Sequence, residues 1–150
     1  MDKISTVLSR IQGQRVYIDT NIFVYFLERH DRYFDAVVPF FQLFNDGLSL
    51  AYTGDAAVAE TMYKPYQTDD IERIQDFQAF FSDDEFITVL PHNTKAFELA
   101  AQLAAKQGMK LIDALHYATA RNAGCQFILT NDAGFASSDK VEVIHLQDLL

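Results

Sequence analysis

The chain has 150 residues, 49% apolar and 22% charged, with a formal net charge of −9. This balance excludes a disordered chain, and the length suits one domain with a core of its own, residues 1–150. The acidity excludes a protein that coats nucleic acid through its overall field, while an enzyme with a local basic patch stays compatible with it. Cys125 is the only cysteine, so no internal disulfide can form and a reducing cytoplasm is expected. The apolar stretches are far shorter than a membrane span, and residues 1–5 lack the layout of a signal peptide.

In chain order, residues 4–11 read as a short amphipathic helix, part of an N-terminal helical extension over 1–14, and residues 15–18 as a buried strand. A helix is expected to begin at Asn21 and run to Glu28. Residues 31–45 carry Phe34, Val37, Val38, Phe41 and Phe44 at helical spacing, a stripe that reads chiefly as core, with a dimer face or a groove for a partner as the alternative. Residues 48–52 are strand-like. Residues 55–63 are helical with Asp55 as N-cap, and Pro65 is expected in a turn. The periodicity then predicts a helix over 68–82, a strand over 86–90, and a helix over 93–107 ended by Gly108. A further helix over 112–123 is stopped by Gly124, and strands follow at 126–129 and 141–145. Strands separated by helices imply an α/β three-layer sandwich around a mostly parallel sheet, whose ligands sit beyond the carboxyl ends of the strands.

Four acids stand at the ends of apolar runs or inside them: Asp19 after Val16-Tyr17-Ile18, Glu60 after Ala56-Ala57-Val58-Ala59, Asp113 within Leu111-Ile112-Asp113-Ala114-Leu115, and Asp132 after Phe127-Ile128-Leu129-Thr130-Asn131. A buried carboxylate is costly unless it is paired, hydrogen-bonded or bound to a cation. Asp19 and Asp113 also suit helix N-caps and Asp132 a turn, whereas Glu60 has neither role to explain it. Together they imply a hard divalent cation held by oxygen ligands.

The motifs Ile18-Asp19-Thr20-Asn21-Ile22-Phe23, the mid-chain Glu60, Ile112-Asp113-Ala114-Leu115-His116-Tyr117-Ala118-Thr119-Ala120 and Leu129-Thr130-Asn131-Asp132 followed by Phe135 resemble the PIN domain family, and within it the VapC-like toxins of toxin–antitoxin pairs. The likeness runs from about Arg15 to Leu146. It implies a compact PIN-like three-layer α/β fold and metal-dependent endoribonuclease activity on single-stranded or loop RNA. It further implies a cognate antitoxin that blocks the active-site groove. Asp19, Glu60, Asp113 and Asp132 match the family's catalytic and metal-binding acids, and Asn21 and Thr130 its supporting polar positions.

Carboxylates brought together raise one another's pKa, so a cation is needed to keep them charged. Magnesium is the expected ion, with manganese as a substitute; it takes one or two carboxylates directly and keeps several waters. Asp19 and Asp113 are the expected direct ligands, with Glu60 and Asp132 direct or bridged by water. Thr20 is expected to bond backbone near the strand end, Asn21 to hold Asp19, and Thr130 to hold Asp132, the last two being equally suited to turns. Lys64 and Tyr66 beyond Glu60, and Lys110 and Arg121 around Asp113, are candidate RNA contacts. His116 lies one helical turn after Asp113 and reads as a core or rim residue. The expected partners are RNA, an antitoxin and a second copy of the chain in a homodimer. The rival reading is a non-catalytic PIN-like module that binds RNA or protein. A phosphoacceptor domain would need a lysine after the last strand, and residues 141–145 have none following them.

Overall fold

The computed structural model describes residues 2–150. Five strands, β1 (Arg15–Ile18), β2 (Leu50–Gly54), β3 (Thr88–Leu90), β4 (Phe127–Thr130) and β5 (Glu142–His145), form one sheet in the order β3-β2-β1-β4-β5. Every pairing is parallel, with Tyr17 in register with Tyr52 on one side and Ile128 on the other. The helices are α1 (Lys3–Ile11), α2 (Thr20–Leu27), α3 (Phe34–Asn45), α4 (Asp55–Gln67), α5 (Ile71–Ser82), α6 (Thr94–Gln107) and α7 (Leu111–Asn122), with a closing 3-10 turn, Leu146–Leu149.

Alternation along each strand sends side chains to two buried faces, as parallel sheets covered on both sides require. Val16, Ile18, Ala51, Phe127, Leu129 and Ile144 join one core with α1 to α5. Tyr17, Ile128 and Val143 join the other with α6 and α7, whose small residues Ala96, Ala100, Ala114 and Ala118 sit in this second core. The result is the three-layer α/β sandwich expected from the sequence. Among the described residues no helix is long and apolar enough to cross a membrane.

Several boundaries differ from the expected ones for local reasons. Strand β2 starts two residues late because Leu48 O accepts from Gly13 N and the Ser49 hydroxyl is spent on Ile11 O and Gln14 O. It runs on to Gly54, which is in register with Leu90 of β3. Helix α4 continues through Pro65, which the sequence reading assigned to a turn. Proline there loses only one ladder bond near the helix end, and its ring is buried. The chain then turns through Asp69 at φ 50°, and Asp70 caps α5 by accepting from Arg73 N at 3.2 Å, so α5 begins at Ile71 rather than at residue 68. Gly54, not Asp55, is the N-cap of α4, and Lys110, not Asp113, that of α7.

The phenylalanine stripe of α3 divides. Val37, Phe41 and Phe44 are buried, and the Phe41 ring stacks on Phe26 at 4.1 Å between centroids and meets Phe23, Phe80 and Phe86 at 6.1 Å. Phe34 and Val38 are less buried and line a groove of about 630 Å³ with Phe26, Phe86 and the edge of Phe41. Phe41→Ala is expected to destabilise by about 3–5 kcal/mol, because a cavity at the junction of α2, α3 and α5 cannot collapse. Urea unfolding should show a lower midpoint at an unchanged slope; an unchanged midpoint would show that the ring bears little of the core.

Candidate active site

Asp19 leaves the end of β1 in an extended conformation and caps α2, so its cap role and its place in a site are one arrangement. Its Oδ1 accepts from Thr20 N at 2.8 Å; its Oδ2 accepts from Thr130 Oγ1 at 2.6 Å and from Asn21 Nδ2 at 3.1 Å. Burial raises the Asp19 pKa above its ordinary value, opposed chiefly by the Thr130 hydroxyl. Thr130, at the end of β4, also accepts from Asp132 N at 3.0 Å. Its hydroxyl therefore donates to the Asp19 carboxylate and accepts from the backbone N–H of Asp132, not from its carboxylate. Asn21 Oδ1 accepts from Asn131 N at 3.1 Å and completes the junction between β1 and β4.

Glu60 projects from α4 with a side chain that is 41% exposed, so it is not the embedded acid that its apolar neighbours implied. Its Oε1 accepts from Thr20 Oγ1 at 3.0 Å and meets His116 Nε2 at 2.9 Å. Thr20 thus bonds a side chain where a backbone bond was expected. The His116 contact is the largest cause holding the Glu60 carboxyl below its ordinary pKa. On the far side of the ring, His116 Nδ1 lies 2.6 Å from the hydroxyl of Tyr17, whose own pKa is pushed up by burial and then by Asp19.

Asp113 lies in the first turn of α7, buried, and its carboxylate has no hydrogen-bond donor among the described residues. Its pKa is raised from 3.8 to about 6, by burial first and then by the negative charges of Asp132 and Asp19. Asp132 turns back on itself, with Oδ1 accepting from Gly134 N at 2.8 Å. A Cβ at Gly134 would stand 3.1 Å from Asp113 Oδ2 and 3.2 Å from Asp132 Oδ1, so the glycine admits both carboxylates to one corner. No pattern in the sequence marks Gly134 as part of a site. The same holds for Tyr17, because a buried tyrosine in an apolar strand carries no pattern of its own.

The structure therefore brings Asp19, Asp113 and Asp132 to one corner beside the ends of β1 and β4, with Glu60 joined to it through Thr20. Lys64 is one turn beyond Glu60, and Lys110 lies close enough to Asp113 to offset part of its raised pKa. Tyr66 sits on the α5 side of α4, its hydroxyl bonded to Gln78 at 3.1 Å, away from Glu60. Arg121 does not flank Asp113. It lies in the last turn of α7 and lines a cleft of about 300 Å³ with Tyr117, Lys140 and Gly134, which borders the acidic corner. Asp55 is exposed and faces His92, whose backbone N donates to its Oδ1 at 3.4 Å, so it adds no fifth acid to the corner.

The donor set suits a hard cation: it is all oxygen, and none of the ion pairs among the described residues involves Asp19, Asp113 or Asp132. Burial first, and then the charges of Asp132 and Asp19, raise the Asp113 pKa, and a cation would offset those charges. Among the described residues no three His, Cys, Asp or Glu side chains close into a metal cage. Magnesium, which uses few carboxylates and keeps its waters, does not require one.

Residues 16–141 match the family model of the PIN domain. The chain belongs to the PIN domain family. No curated protein matches it significantly in sequence. Its fold is similar to that of a toxin–antitoxin complex from Klebsiella pneumoniae, with a TM-score of 0.66 and 17% identity over 87% of this chain and 97% of that one. A DNA-bound VapBC from Salmonella typhimurium gives a TM-score of 0.67 at 16% identity, covering 89% and 98% of the two chains. The Mycobacterium tuberculosis toxin VapC20, described as cleaving the sarcin–ricin loop, gives 0.62 at 15% identity over 75% and 86%. These likenesses fix the PIN fold of the chain; the acidic corner is read from its own residues.

The raised Asp113 pKa sets a sign for stability in metal-free protein. The folded chain keeps this proton up to about pH 6, whereas an unfolded aspartate loses it near 3.8, so the folded state binds more protons in between. Stability from this group is full below the unfolded value and falls as pH rises from there through the folded value. Asp113→Asn is expected to flatten that fall. In chelator at neutral pH the variant should melt about 2–4 °C above the parent, the shift that ~1 kcal/mol produces in a chain of this size. A variant that melts below the parent would show that Asp113 is not repelled.

Proposed function

We propose that the chain is a divalent-metal-dependent endoribonuclease, the toxin of a toxin–antitoxin pair, that hydrolyses phosphodiester bonds in single-stranded or loop RNA with magnesium as resident ion and manganese as substitute. The observation that carries the reading is the corner of uncompensated carboxylates, Asp19, Asp113 and Asp132, beyond the ends of parallel strands in a PIN chain. The likeness of its fold to VapC-type toxins supports the same class.

Asp19 and Asp113 are the direct ligands in this reading, and Asp132 and Glu60 act directly or through water. When bound, the ion neutralises charge on the scissile phosphate and acidifies a water. The protein does the remaining work. Thr130, Asn21 and Thr20 N hold Asp19 in one orientation before any ligand arrives. Glu60 takes the proton of the attacking water at Oε2, the oxygen that Thr20 and His116 leave free. That water's oxygen bonds phosphorus while the bridging ester oxygen departs and gains a proton from solvent. Lys110, Lys64 and, along the cleft beside Gly134, Arg121 and Lys140 supply phosphate contacts on a chain that is acidic overall. An antitoxin and a second copy of the chain are the protein partners of this reading; neighbours of similar fold are toxin–antitoxin complexes.

Purified protein with magnesium is expected to cleave a loop-containing RNA. Asp19→Asn or Asp113→Asn should each lower the rate by more than the roughly 10–100-fold typical of losing an outer partner, with an unchanged circular dichroism spectrum. Binding of RNA without cleavage in either metal would favour the non-catalytic module instead. In a separate measurement, magnesium at about 100 times its dissociation constant should stabilise the parent by about 2.7 kcal/mol, and Asp19→Asn should lose most of that gain. Equal stabilisation of both would remove Asp19 from the ligand set.

A further inference from the structure

The acids of the corner leave one buried polar chain unexplained: Tyr17, His116 and Glu60, joined end to end from the second core to the surface. The His116 ring is 1% exposed, yet it reaches a carboxylate on another element whose side chain is 41% exposed. The buried ring nitrogen needs a partner, which Glu60 supplies, while the exposed glutamate gains little for itself from such a contact. Fixing a glutamate on a helix surface also forfeits rotamer freedom. Besides satisfying the buried ring, the contact fixes how Glu60 is turned.

The hydrogens on the ring follow from its neighbours. An ionised Glu60 only accepts, so Nε2 carries the hydrogen. In that tautomer Nδ1 is the acceptor, and the buried Tyr17 hydroxyl 2.6 Å away is placed to donate to it. Both nitrogens are then occupied, and the ring has no lone pair left for a metal ion. With Thr20 the arrangement places two donors on Oε1 and none on Oε2. The surroundings hold the ring in place. His92 packs edge-on against it at 5.4 Å between centroids, and a Cβ at Gly54 would fall 2.1 Å from His92 Cε1 and 2.6 Å from the Tyr17 hydroxyl.

We infer that His116 is a positioning residue of the proposed nuclease, holding Glu60 through Nε2 with Oε2 turned to the reaction, and that Tyr17 sets the tautomer that allows it. This inference rests on the nuclease reading for its effect on rate, but the tautomer and the Glu60 contact do not.

Two variants of the full chain and one spectroscopic readout test it. His116→Leu keeps the apolar bulk and removes the donor; the turnover number is expected to fall about 10–100-fold with KM changed by less than about two-fold. His116→Gln restores a donor near the Nε2 position, and should recover most of the lost turnover. Long-range proton–nitrogen NMR of the metal-free parent should show His116 with its hydrogen on Nε2, and Glu60→Ala should shift that resonance. Turnover in His116→Leu equal to the parent's, or the hydrogen on Nδ1, would overturn the inference. If His116→Leu does not fold, the Gln variant and the tautomer decide. If the parent cleaves no RNA, the nuclease reading fails, and the NMR result still decides whether His116 holds Glu60.

Discussion

Three donors on the Asp19 carboxylate tie together the parts on which the rest of the site depends. Thr20 N belongs to the start of α2, Asn21 Nδ2 to its first turn, and Thr130 Oγ1 to the end of β4. One side chain thus caps a helix, closes the seam between two strands and presents a charge at their ends. A helix N-terminus favours a carboxylate, and each donor stabilises the ionised form, but the Asp19 pKa is raised all the same because burial outweighs them. The hydrogen bonds decide where the carboxylate points, while its charge is left for something else to offset.

The sheet order explains why this seam is the site. From β1 the chain adds β2 and then β3 on one side; it then crosses to lay β4 and β5 on the other. The order reverses between β1 and β4, and at such a switch point the following connections part and leave a crevice beyond the strand ends. Asp19 and Asp132 follow the two strands that meet there. Helix α7 precedes β4 and brings Asp113 in its first turn, while α4 follows β2 and brings Glu60 in its second turn. Acids distant in sequence meet because parallel connections return every strand in the same direction.

The strand-end acids were legible in the sequence because an apolar run followed by Asp is a local pattern. So was the layering, since strand and helix periods alternate along the chain. The helix ends were less so. Lys110 and Gly54 are the caps, although neither makes a side-chain cap bond, and aspartates close by offered the stronger local signal. Pro65 was misread because a proline in the last turn of a helix looks locally like one after its end. Glu60 was read as embedded from its sequence neighbours, but on a helix those neighbours point elsewhere. Gly134, Tyr17 and the Glu60 contact of His116 depend on distances between elements, for which no spacing rule exists.

The protein gives its acids opposite environments, and this bears on their roles in the proposed reaction. Burial and like charge push Asp113 up to about 6, while His116 and Thr20 pull Glu60 below its ordinary value. Environments that drive carboxyl pKa values apart are how one site assigns different tasks to the same functional group. Asp113 is further stabilised as an anion when more positive charge arrives beside it, which suits a ligand. Glu60 is an anion without such help, because His116 Nε2 and the Thr20 hydroxyl donate to it. It is therefore ionised whether or not the corner is filled, at the cost of being a weaker base than an ordinary glutamate. Its pKa is depressed by donors on Oε1, and the same donors leave Oε2 unengaged. A base whose readiness depended on the ion would compete with it for charge; supplying Glu60 from the core through His116 and Tyr17 separates the two requirements.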